Sequence, residues 1–153
     1  MIVLFLKTFI IFYAQLFMTN EDKELLLRDL CSRIPYSVKI SVSDWDEREM
    51  EYMDKVDVLY SVNGDEYIQT VNSDYNFSPE DIKPYLFPMS SMTEEQEKEF
   101  DQLLELELKA ISDEIDHTEA TAFEVDFYNK HHLDWRGLIP KGLAIDATGK
   151  NIY

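Results

Sequence analysis

The 153-residue chain sets 14 lysines and arginines against 31 aspartates and glutamates, a net charge of −17 with neutral histidine. With 45% apolar residues it has the composition of a globular chain, not of a charge-driven disordered one, and at this length one core can close without disulfides or metal. Cys31 stands alone, which excludes an internal disulfide, a CxxC redox pair and a cysteine zinc cluster, and fits a cytoplasmic setting. The negative field repels nucleic acid and anionic lipid, so a protein partner is expected and direct nucleic-acid binding is not. The charge is uneven: residues 1–130 hold 11 basic and 29 acidic residues, whereas residues 131–153 hold three basic and two acidic ones.

Residues 1–17, MIVLFLKTFIIFYAQLF, are the most apolar stretch. Lys7 interrupts the run and no small-residue cleavage site follows, which disfavours a secretory signal. A membrane span needs roughly 20 apolar residues, so at most a short anchor is expected here, and membrane association only if the segment is genuine. The favoured reading is an over-extended start, with translation beginning at Met18; an apolar helix packed on the domain is the next. Residues 18–153 are then expected to form a single α+β domain.

From Thr19 a first helix is expected to run to about Arg33, capped by Thr19 and stopped by Pro35, with Leu26, Leu27, Leu30, Cys31 and Ile34 as its buried stripe. Cys31 on that stripe reads as a small buried hydrophobe. Residues 36–43 alternate, Val38, Ile40 and Val42 against Lys39, Ser41 and Ser43, as a half-buried strand does. Residues 44–57 read as an acidic connector with seven acids and two bases. Residues 56–71 read as two strands joined at Asn63-Gly64, the pair favoured by a two-residue type I′ turn. Counting from that turn places Tyr60 opposite Tyr67 and Val56 opposite Val71 on the side expected to cover the core, with Leu59 and Ile68 on the other.

Pro79, Pro84 and Pro88 enforce an extended segment carrying Tyr85, Leu86 and Phe87. A second helix is expected over 94–119, opened by a Thr93/Gln96 capping box. Its apolar arc is Phe100, Leu103, Leu104, Leu108, Ile111 and Ile115, opposed by Lys98, Asp101, Glu105 and Lys109. Around 119–131 the patterns conflict: Phe123, Val125 and Phe127 alternate as a strand would, yet Val125, Tyr128 and His132 suit a helix, which is preferred. The last segment holds three of the four glycines, Gly137, Gly142 and Gly149, among Trp135, Leu138, Ile139, Leu143 and Ile145. A tail this apolar is expected to fold onto the body.

Three strings carry a family resemblance: Leu30-Cys31-Ser32-Arg33-Ile34-Pro35-Tyr36, the run from Ile82-Lys83-Pro84-Tyr85 to Glu94-Glu95-Gln96, and His131-His132-Leu133-Asp134-Trp135-Arg136-Gly137-Leu138-Ile139 followed by Lys141-Gly142-Leu143-Ala144. With them the chain resembles a family of small uncharacterised proteins common in gut Bacteroidetes, their phages and mobile elements. The likeness covers most of residues 24–153 and begins near the first helix, in agreement with Met18 as the start. Ser37 stands where the family pattern has glycine, Trp135 where tyrosine is usual, and residues 44–75 are less alike. The resemblance implies a genetic setting and no activity.

Imidazole and carboxylate are metal ligands by type, so His131, His132 and Asp134, with Asp116-His117 nearby in sequence, form the one constellation with chemical potential. Neighbouring residues on a helix point about 100° apart, so His131 and His132 share an ion only if the helix has ended. The bland alternative makes one histidine a buried helix terminator and leaves the other exposed. Trp135 and Arg136 either form a recognition surface or pin the tail to the core, and pinning is the simpler reading. Asp44-Trp45-Asp46 opens like a calcium loop, but Arg48 and the lack of glycine at the sixth position end that reading. No GxGxxG, GxSxG, HExxH or phosphate loop occurs, and no cofactor is expected.

The expectation is therefore an α+β fold: a small antiparallel sheet of about three strands, including the Asn63-Gly64 hairpin, packed by two to three helices. The function expected is a non-enzymatic acidic module that binds a protein, its carboxylates at 44–57 and on the 94–119 helix imitating nucleic-acid charge. The alternative is a small metal-assisted hydrolase using His131, His132 and Asp134.

Overall fold

The computed structural model describes residues 18–46, 48–64, 66–112 and 118–153, with side chains except at 110–112 and 118–121. The apolar segment 1–17, the Asp116-His117 pair and the Ile111 and Ile115 side chains lie outside the described residues. Helix α1 spans Asn20–Arg33, and Thr19 caps it by accepting the Asp22 N–H at 3.1 Å. A 3₁₀ turn at Ile34–Tyr36 follows, with Pro35 inside it, and leads into strand β1, Lys39–Asp46. Then come β2 (Glu51–Val62), β3 (Ile68–Thr70), β4 (Asn76–Phe77) and β5 (Ile82–Leu86), helices α2 (Glu94–Ser112) and α3 (Thr118–Lys130), and β6 (Ile145–Asp146).

The α+β class holds, but the sheet is twice the expected size. Among the described residues six strands run in the order β4-β3-β2-β1-β5-β6, antiparallel except for the β5/β6 pair. Two of them escape sequence reading because β4 and β6 have two residues each, too few to show any alternation. Pro84 accounts for one limit of β6: it brings no N–H, and the parallel pairing begins only at Tyr85 opposite Ile145.

The core lies between one sheet face and α1. Leu26 and Leu30 of α1 pack with Val38, Ile40, Val42, Leu59, Ile68, Ile82 and Leu86 of the sheet and with Leu138, Leu143 and Ala144 of the tail. On α1 the buried stripe is Leu26, Asp29, Leu30 and Arg33, while Cys31 is exposed. The expected stripe was rotated by about one residue, because a hydropathy pattern cannot credit a charged pair with burial.

The hairpin corrects the expected register. Asn63 pairs with Tyr67 through a backbone N–H to carbonyl bond of 3.0 Å, and the Asn63 side chain accepts the Tyr67 N–H at 3.0 Å, so three residues form the loop instead of two. The left-handed position falls on Glu66, at φ +64°, and not on the Asn63-Gly64 pair. A bulge between Leu59 and Ser61 shifts the pairing again, giving Val62 opposite Ile68 and Leu59 opposite Thr70. The two faces keep the membership that counting gives them, but their roles are reversed: α1 packs Leu26 and Leu30 on the Leu59 and Ile68 side, while Tyr60 and Tyr67 stand in solvent, 63% and 46% exposed, with Val56 and Val71.

The acidic connector is not a connector. Residues 44–57 form the outer half of the β1/β2 hairpin, paired from Lys39 opposite Val58 to Asp46 opposite Glu51. Helix α2 opens with the expected capping box, Thr93 N–H to Gln96 Oε1 at 2.9 Å and Gln96 N–H to Thr93 Oγ1 at 3.2 Å. It is described as far as Ser112, and Leu108 of its expected apolar arc is 59% exposed. The disputed segment is helical: Phe127 and Tyr128 of α3 meet Phe100 of α2 at ring-centre distances of 5.2 and 5.6 Å. No helix among the described residues is long and apolar enough to cross a membrane.

Candidate functional site

The end of α3 sets the geometry of the HHxDWR segment. His132 adopts φ +54° and ends the helix; its N–H donates to Asn129 O and the Leu133 N–H to Tyr128 O, at 3.1 and 2.8 Å. These two bonds close the last turn as a left-handed residue at the first position past a helix does. The side chains of His131 and His132 consequently part. His131 turns to α2, with Nδ1 3.2 Å from Gln96 Nε2 and Nε2 3.1 Å from Glu99 Oε2. Lys130, first, and His131 hold the Glu99 carboxyl below its usual range.

His132 turns the other way and stacks on the Tyr153 ring, 4.0 Å between centres and 16° between planes. Its Nδ1 is buried with no hydrogen-bond partner among the described residues. Burial, reinforced by the charges of Arg33, His131 and Lys39, pushes the imidazole down to about 4 from 6.5. The Tyr153 hydroxyl accepts the Lys39 N–H at 3.0 Å and donates to Tyr85 O at 2.8 Å; partial burial raises it to about 12.

Asp134 is buried, and both carboxylate oxygens are occupied by backbone amides, Leu138 N–H at 2.7 Å and Ile139 N–H at 2.8 Å. Its own N–H donates to Phe87 O at 2.8 Å, which sews the tail to the end of β5. Trp135 donates its indole N–H to Asn129 Oδ1 at 3.0 Å, and Asn129 Nδ2 donates to Ser32 O at 3.2 Å. The Arg136 guanidinium lies 3.9 Å from the Trp135 ring centre, and its Nε stands 3.5 Å from Asp29 Oδ1.

Beneath this segment lies a pair that the sequence reading missed. Asp29 and Arg33, one turn apart on α1 and both fully buried, share hydrogen bonds of 2.7 and 3.1 Å, and Arg33 Nη2 donates to Leu133 O at 2.8 Å. The available signal was their spacing, which places them beside Leu26 and Leu30 on one helical face. The five residues singled out in sequence thus surround the tail's attachment to α1, α2, α3 and β5. His131, His132 and Asp134 do not converge, and no group of three or more His, Cys, Asp or Glu side chains suited to hold a metal ion occurs among the described residues.

A second locality is the outer half of the β1/β2 hairpin. Asp46 organises its turn, its carboxylate accepting the Arg48 and Glu49 N–H groups at 2.9 and 3.3 Å and its carbonyl the Met50 N–H at 2.8 Å. Those two amides hold the Asp46 carboxyl below its ordinary range. Lys55 reaches back to Asp44 at 3.3 Å and Asp46 at 3.9 Å. On the opposite face Trp45 and Tyr52 sit across from each other with rings edge to face at 5.2 Å. Apolar surface is left in water along this arm: Trp45 is 44%, Met50 71%, Tyr52 71% and Val56 49% exposed. Aromatic and aliphatic side chains placed this way among carboxylates suit contact with another macromolecule more than chemistry on a small one. Compared with protein-family models, with curated proteins and with solved structures, the chain matches none of them.

Proposed function

We propose that the chain is a non-enzymatic, acidic binding module of a phage or mobile element, acting in the cytoplasm on a basic protein surface of the kind that otherwise grips nucleic acid. The observation that carries this reading is the β1/β2 arm, on which Trp45, Met50, Tyr52 and Val56 are exposed among Asp44, Asp46, Glu49, Glu51 and Asp54. Aromatic anchors supply contact area at small entropy cost, and the surrounding carboxylates steer a cationic partner into place. The resemblance of the strings around residues 30–36, 82–96 and 131–144 to proteins of Bacteroidetes phages and mobile elements supports the setting. The metal-hydrolase alternative has less support, since Asp134 spends both oxygens on backbone amides and the two histidines turn apart.

The test is retention from a nuclease-treated host lysate on the immobilised chain, followed by rebinding of each retained protein in purified form. A basic nucleic-acid-binding protein that rebinds, is released by salt and is displaced by duplex DNA is the expected result. Failure of every retained protein to rebind, or rebinding indifferent to salt and DNA, overturns the reading.

A further inference from the structure

The arm exposes backbone as well as side chains. β2 is paired with β1 from Glu51 onward, but β3 joins it only from Leu59. Two hydrogen bonds fix which groups point where: Leu59 N–H donates to Val38 O on the β1 side, and Val71 N–H donates to Val58 O on the other. In an antiparallel ladder this parity alternates along the strand. The N–H and C=O groups of Tyr52, Asp54 and Val56 therefore point away from β1, toward an edge that no strand among the described residues occupies.

The edge is open for a structural reason. A chain continuing past Val71 would run along it, but the Asp57 carboxylate accepts the Asn72 N–H at 3.2 Å and the Asn72 side-chain amide at 2.8 Å, and turns the chain off the sheet. The sheet's two terminal strands are protected in a usual way, by being two residues long. Residues 52–56 lack that protection: over these five paired residues, about 17 Å of strand, the outward donors and acceptors of Tyr52, Asp54 and Val56 have no partner among the described residues, and Tyr52 and Val56 flank Asp54 on one face. Six acids and two bases over residues 43–56 define the complementary charge.

Resting on the reading of the chain as an acidic protein-binding module, we propose that residues 52–56 of β2 take up an extended basic segment of the partner as an added strand. Backbone hydrogen bonds to Tyr52, Asp54 and Val56 hold the segment, and alternation selects it: a lysine or arginine beside Asp54, with apolar residues beside Tyr52 and Val56.

The test titrates the full chain with a synthetic peptide of about nine residues, long enough to span the edge, that presents lysine alternating with valine on one face and threonine on the other. A second peptide of the same sequence carries N-methyl groups on its consecutive central residues, which blocks both of its edges, and cannot complete a ladder. Asp54→Pro removes an N–H that points outward, a substitution edge strands tolerate. The proposal expects the plain peptide to bind with salt sensitivity, and the N-methylated peptide and Asp54→Pro each to weaken binding by about tenfold or more. The N-methylated peptide leaves the protein untouched, so it decides the matter if Asp54→Pro unfolds. Equal, salt-sensitive binding of both peptides to the wild-type chain overturns strand addition and leaves the acidic-module reading standing. Absence of binding by either peptide at low salt overturns strand addition, and the separate rebinding test with purified basic proteins then decides whether the acidic-module reading falls with it.

Discussion

Arg33 closes on the carboxylate of Asp29 with neither side chain reaching solvent, and the same guanidinium reaches the Leu133 carbonyl 100 residues further along the chain. One ion pair thereby joins the first helix to the root of the tail. Removal of one partner strands the other charge in a dry interior, which costs far more than the pair contributes.

Asp29→Leu or Arg33→Met alone should therefore destabilise the fold by about 3–5 kcal/mol, read as a lowered urea midpoint. The double substitution should cost less than Asp29→Leu alone, because the only charge it leaves without this carboxylate is that of Arg136, whose side chain still reaches solvent. Equal or additive losses in the double variant would show that the pair itself, and not the stranded charge, carries the energy.

A second prediction concerns pH. The folded His132 titrates near 4 and the free imidazole near 6.5, so the unfolded chain takes up the proton first. The stability that this neutral, stacked ring contributes is complete above 6.5 and is lost as pH falls toward 4. After allowance for partial solvent access the loss should be about 1–3 kcal/mol. Asp46, held below the ordinary aspartate range by the Arg48 and Glu49 amides, affects stability only further down. Urea midpoints taken at successive pH values should slope between 6.5 and 4.5 in the wild type and lie flat in His132→Asn, which tolerates the left-handed backbone. An unchanged slope in that variant would place the effect elsewhere.

How much of this was legible follows from what a pattern can encode. Thr19, the Thr93/Gln96 box and the alternation of Val38, Ile40 and Val42 are local devices, and each is found as expected. The hairpin register was misread because Asn63-Gly64 satisfies a two-residue turn on its own, while the loop actually formed and the bulge after Leu59 depend on the sheet around them; the face was misread because apolar content on each side does not tell which side α1 covers. The acids of residues 44–57 masked a strand whose faces are both wet, which carries no apolar alternation. Asp29 and Arg33 are invisible for the opposite reason, as charges whose burial depends on each other. At the tail, residue types single out the segment, but only the left-handed turn at His132 decides which way each side chain goes.

Ser37 supplies a third prediction. It sits at φ +53° directly after the 3₁₀ turn at Ile34–Tyr36, a conformation that costs a residue with Cβ roughly 1–2 kcal/mol. Glycine removes that cost but widens the unfolded ensemble, which returns part of the gain. Ser37→Gly should raise stability by about 0.5–1 kcal/mol, seen as a higher thermal midpoint, whereas Ser37→Val should lower it. A lower midpoint in Ser37→Gly would mean that the serine side chain makes a compensating contact.

The last prediction separates a strap from a site at residues 131–139. Asp134 fixes the Leu138 and Ile139 amides, and Leu138 is fully buried in the core. Asp134→Ala leaves two backbone donors without their acceptor and should cost about 1–3 kcal/mol. Hydrogen exchange at Leu138 and Ile139 should accelerate accordingly, while Asp134→Asn, which keeps one acceptor, should fall between. Binding at the distant β1/β2 arm should be unchanged in both variants at temperatures where they remain folded. A variant that keeps wild-type exchange at these amides yet loses the partner would reverse the assignment, since a strap fails first in its own hydrogen bonds and a site fails first in its ligand.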